Sequence, residues 1–190
     1  MEKNKLFRKF TVKDIVFLAI ISAVTLLTSA VMPLVVAVPV FGIIQIALGF
    51  QFALFPAIGV MKVRKPGSVV FIAVFSGIVL VFMNPIMFAC LIICAILAET
   101  VSLLIFKSYE KNAACFLAGA LYLPLSLPFL HFWYKAIGTG DAGEAVKSLA
   151  DPKPGIAVLM SVAVIALCCL GSFVGVKISK ELQKSGALKK

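Results

Sequence analysis

Six apolar runs, each near the length needed to cross a bilayer as a helix, take up most of this 190-residue chain. They fall at approximately 15–36, 39–61, 68–83, 86–106, 113–134 and 155–176. About 20 apolar residues span a hydrocarbon core, and an isolated segment there must pair its own backbone polar groups, which only a helix does. The chain therefore reads as all-α: one polytopic membrane domain, residues 1–190, with six transmembrane helices in a single bundle. Composition agrees, with 62% of residues hydrophobic and 14% charged, against roughly half and a quarter in soluble domains. The third run is short, about 24 Å at 1.5 Å per residue, so it borrows flanking residues or tilts little. Pro33 and Pro39, then Lys62-Val-Arg64-Lys65-Pro66-Gly67, then Asn84-Pro85 punctuate the first three connections. Pro124 and Pro128 lie inside the fifth run and predict a break in it, because proline removes a backbone donor and crowds the preceding turn.

The formal charge of +10 has a topological reading. Fifteen of the eighteen basic residues flank one side of the six runs, at 3–13, 62–65, 107–111 and 177–190. The other three, Lys135, Lys147 and Lys153, share the 135–154 connection with Asp141, Glu144 and Asp151. The positive-inside rule then places both termini in the cytoplasm and 135–154 outside as an extracellular loop. Within that loop, 141–149 could form one or two amphipathic turns. No basic face interleaved with aromatics suggests a nucleic-acid partner; the basic rim suits anionic lipid. The first run follows a basic segment but exceeds a signal-peptide core in length, and is read as a retained span. Cys90, Cys94, Cys115, Cys168 and Cys169 all fall in apolar runs, where an odd number forms no disulfide framework and cysteine acts as a small hydrophobe.

Reactive constellations are missing from the sequence. There is no HExxH, GxSxG or P-loop, and His131 is the sole histidine. No enzymatic activity, intrinsic cofactor or metal site is expected, and a chain without a P-loop does not hydrolyse ATP itself. Glu99 is the one acidic residue well inside a run, about 10 Å from the basic end. A carboxylate there needs a partner; it either reaches the interface, pairs with Lys107, Lys111 or a base of another subunit, or serves coupling. Gln45, Asn84, Tyr122, His131, Trp133 and Tyr134 gather towards the opposite end. As single residues they read as an aromatic belt and as helix-helix or turn contacts. Together they could line the mouth of an apolar small-molecule site beneath the long loop. Ala19-xxx-Ala23 and Gly171-xxx-Gly175 each place two small residues on one helix face, where another helix can approach closely.

These features resemble the S-components of energy-coupling-factor (ECF) transporters, and more closely a group of them called Trep-Strep. The resemblance rests on Thr11-Val12-Lys13-Asp14-Ile15 leading into Ala19-xxx-Ala23, on Lys62 to Gly67, on Asn84-Pro85, on Glu110-Lys111-Asn112, and on Gly171-xxx-Gly175-Val-Lys177-Ile-Ser-Lys180 followed by Lys184-Ser-Gly186. It implies a substrate-capturing subunit of an ATP-driven importer in a bacterial cell membrane, working with a coupling transmembrane subunit and two cytoplasmic ATPases. Ala19 and Ala23 would contact the coupling subunit. A vitamin-like molecule or precursor is the favoured cargo. Haem or another metal complex is the alternative, with His131 or Tyr134 as axial ligand. The rival readings are a solitary secondary transporter, which would show paired broken helices, and a membrane enzyme.

Overall fold

The computed structural model describes residues 9–31, 35, 38, 40–82, 85–137 and 149–186. Among these every long element is helical: α1 (Val12–Thr28) with a 3-10 turn at Ser29–Val31, α2 (Ile43–Val63), α3 (Ser68–Val81), α4 (Pro85–Phe106), α5 (Asn112–Tyr122), α6 (Ser126–Ile137) and α7 (Pro154–Lys184). The all-α expectation holds. By length and composition, Ile43–Val63, Pro85–Phe106, Asn112–Ala136 and Pro154–Lys184 can each cross a membrane. At 17 and 14 residues, α1 and α3 are shorter than the usual span. Asn84 and residues 138–148, with the amphipathic turns expected there, lie outside the described part.

Local chemistry sets the helix ends. Thr11 and Asp14 form a reciprocal capping box at the start of α1: the Asp14 amide donates to Thr11 Oγ1, and the Thr11 amide to Asp14 Oδ2 at 2.8 Å. The fifth apolar run breaks at 123–125, as its prolines predict. Pro124 sits in the turn, Ser126 donates its amide to the Leu123 carbonyl at 2.9 Å, and Pro128 falls in the first turn of α6, where its missing donor costs little. The last helix runs to Lys184, eight residues past the apolar run that ends at 176. Hydropathy stops there, but Lys177 to Lys184 continue with good helix formers.

The core is organised around α2, which packs on α1, α3, α5 and, most extensively, α7. Close approach of α2 and α7 depends on missing side chains. A Cβ on Gly175 would lie 2.5 Å from the Leu54 carbonyl oxygen, and one on Gly171 would overlap the Phe50 carbonyl. The Gly171-xxx-Gly175 face is therefore packing inside the bundle. Ala53, Ala57 and Val60 of α2 have no exposed surface, and a Cβ on Gly119 of α5 would lie 2.9 Å from the Ala53 carbonyl oxygen and 3.0 Å from Ala57 Cβ. The outer surface is apolar: Leu104, Ile105, Leu159 and Phe173 are each at least 60% exposed. Contiguous apolar surface on this scale calls for a cover of lipid or partner protein.

Candidate functional site

Two regions at opposite ends of the bundle carry the polar chemistry. At the end that gathers the basic residues, the 64–67 turn between α2 and α3 is held from three sides. Arg64 adopts a left-handed conformation (φ 50°) and sends its guanidinium to the Glu110 carbonyl and to Asn112 Oδ1, the latter at 2.8 Å. Lys65 Nζ lies 2.6 Å from Asp14 Oδ2, donates to the Lys9 carbonyl, and sits 5.7 Å from the centre of the Phe10 ring. Burial pushes the Asp14 carboxyl up, but the bonds from Lys65 and Thr11 together outweigh this and hold it below its ordinary value.

The third tie is Glu99. Its side chain is buried, and its oxygens accept the amides of Gly67 and Val69, each at 2.8 Å. Those amides are unpaired donors at the N-terminus of α3, where the helix dipole also favours negative charge. Gly67 turns its amide towards α4 by a φ of 93°, which a residue with a Cβ seldom adopts. The expected choice between the interface and Lys107 or Lys111 is thus replaced by a backbone cap across the bundle. Tyr109 is buried beside Glu99 and Ser102, and its hydroxyl makes no well-formed hydrogen bond among the described residues; burial and the neighbouring carboxylate push that hydroxyl up.

At the far end, a groove of about 490 Å³ runs between α6 and α7. Leu127, Pro128 and His131 line it from α6; Val158, Val162 and Ile165 are among its α7 residues, and Asp151 and Pro152 stand at its mouth. Phe41 reaches in from the residues before α2 and meets the His131 ring edge-on at 6.0 Å between centroids. The Gly42 turn (φ 80°) permits this, since a Cβ there would lie 3.1 Å from Met160 Cβ.

The predicted ligand residues do not converge on one space. His131 lines the groove. Tyr122 is buried beside Cys90 and Cys94, its ring 6.3 Å from that of Phe52, and its hydroxyl has no hydrogen-bond partner among the described residues. Tyr134 packs against the core near Cys90. Gln45 is buried on α2, Trp133 is half-buried, and neither they nor Tyr134 belong to the groove lining. Phe41, Asp151 and the α7 residues escaped sequence reasoning because apolar spans give no sign of which face borders a gap. On α1, Ala19 is half-buried and Ala23 exposed, on a stripe with Val16, Ile20 and Leu27 that no described element covers.

Residues 12–184 match the model of a family described as a hypothetical bacterial integral membrane protein (Trep_Strep). The chain belongs to this family. The Trep_Strep bundle also aligns with a solved structure described as the crystal structure of an S-component of ECF transporter. The alignment has a TM-score of 0.65 at 20% identity, covering 95% of this chain and 89% of that one. The two share a fold. No curated protein matches the chain. The Trep_Strep chain is thus a multi-pass bacterial membrane protein, and motifs that suggested the family from sequence meet in space: Asp14 with Lys65 and Arg64 with Asn112, while Glu99 ties in at Gly67.

Proposed function

We propose that this protein is the substrate-capturing S-component of an ECF-type importer. It binds a small molecule at the outer end of the bundle and hands it to a coupling transmembrane subunit driven by two cytoplasmic ATPases. The observation that carries this reading is the fold shared with a structure described as an S-component over nearly the whole chain. Two local features support it. The α1 stripe with Ala19 and Ala23 offers small side chains to an approaching helix, and the far-end groove has the size of a small-molecule site. The sequence offers no nucleotide-binding loop, so energy would come from the partners.

A vitamin-like organic molecule is the favoured cargo class. A haem-type cargo would take its axial ligand from His131, the lining residue with a coordinating nitrogen. The reading is tested by affinity recovery of a co-expressed coupling subunit. Ala23→Trp puts an indole on an exposed face, so it leaves the thermal midpoint within a degree or two, on the order of a neutral surface change, while recovery of the coupling subunit collapses. Unchanged recovery would remove α1 from the contact.

A further inference from the structure

The groove between α6 and α7 opens sideways. Its α7 wall includes Val158, Val162 and Ile165, which are 65%, 60% and 49% exposed and face the surroundings of the bundle. From Pro154 to Ile165 this wall is about 16 Å long at 1.5 Å per residue, roughly half of a 30 Å hydrocarbon core. The trough therefore has the depth of a single leaflet. Its walls are mostly apolar: Leu127, Pro128 and Phe41 oppose α7, and the Ser161 hydroxyl is engaged with the Ala157 carbonyl at 2.8 Å. His131 adds a polar ring on the α6 wall, packed edge-on against Phe41, and Asp151, just before α7, is the charged residue among the lining residues described. Lys135 and Lys153, the other described charges at this end, are exposed and outside the lining.

We propose that this groove takes one amphipathic molecule from the outer leaflet, its aliphatic body lying between α6 and α7 and a cationic head pairing with Asp151 at the mouth. A water-soluble ligand would leave the apolar trough unfilled. An anionic phospholipid head would meet the Asp151 carboxylate, so charge selects against bulk anionic lipid. Lateral entry follows from the exposed wall. The inference deepens the S-component reading by naming the class of cargo, but binding itself requires no partner subunit.

The test uses the full chain alone in nanodiscs of zwitterionic lipid, with dodecylamine carrying a mid-chain diazirine as probe. After photolysis, adducts are expected to concentrate on 127–131 and 157–165. Unlabelled dodecylamine should compete at least about tenfold better than dodecanoate, a modest screened charge preference. Asp151→Lys should reverse that order, and Ser161→Phe, which fills the trough, should cut groove adducts several-fold with thermal stability retained. Adducts spread evenly over lipid-facing positions such as Leu104 and Ile105, without competition, would show ordinary lipid in the groove and overturn the proposal. Equal competition by amine and acid would overturn the head assignment. Either failure with the coupling subunit still recovered counts against the groove alone; loss of that recovery with adducts intact counts against the S-component reading.

Discussion

At the scale of single residues, Glu99 is the side chain whose role changed most between sequence and structure. Its burial inside a span was legible, because a carboxylate in an apolar run stands out. Its partners were not, because Gly67 and Val69 are backbone donors 32 and 30 positions away, supplied by a turn whose approach no local pattern announces. Hydrogen bonds to a charged group contribute about 1.5–3 kcal/mol each. Glu99→Gln keeps one acceptor oxygen and should lower stability by about that amount. Glu99→Ala leaves both amides without a partner and should cost clearly more. Equilibrium unfolding in detergent reads both, and equal stability of all three proteins would dismiss the cap. Asp14 gives a pH signature. Its carboxyl is held below the ordinary 3.8, so its stabilising contribution is complete above that value and is lost as pH falls through the lower, folded-state value. Asp14→Asn should flatten that part of the stability profile; an unchanged acid limb would mean that the Lys65 pair contributes nothing there.

Among elements, the helices were the most legible part, because apolar runs bounded by proline, glycine and lysine leave little freedom in a bilayer. The break at 123–125 came from covalent chemistry that any context must obey. The extension of α7 to Lys184 did not, since hydropathy falls silent where a helix leaves the membrane while helix propensity continues. Packing partners were equally silent. Gly171-xxx-Gly175 and Ala19-xxx-Ala23 have the same spacing, yet the first pair is pressed against the Phe50 and Leu54 carbonyls and the second faces outward. The two should respond differently to mutation. Gly171→Ala forces α2 and α7 apart and should destabilise by about 1–3 kcal/mol despite the better helix propensity of alanine. Ala23→Leu should leave thermal stability near that of the parent. Equal tolerance at both positions, measured as thermal midpoints, would contradict the packing assigned to α7.

For the whole molecule, the basic-end network and the far-end groove sit at opposite ends of a bundle whose central helix, α2, contacts elements that border both. The sequence gathered the proposed ligand residues towards one end of the bundle, and the structure divides them between faces: His131 lines the groove, whereas Tyr122 and Tyr134 turn to the Cys90 side of the core. Helical spacing alone could not separate these faces, since α6 starts afresh after the break and its rotation relative to α5 is set by tertiary packing. Orientation has its own test. In a background without native cysteines, Gly186→Cys should label from the cytoplasmic side and Gly143→Cys from outside, as the fifteen-to-three distribution of basic residues requires. Labelling of position 143 only after permeabilisation would invert the bundle and move the groove to the cytoplasmic leaflet. The most direct measurement is the native mass of the particle recovered when this chain is co-expressed with a coupling transmembrane subunit and its two ATPases. The account predicts a complex containing one copy of this chain with those three partners; recovery of this chain only by itself, folded and with its partners expressed, would contradict it.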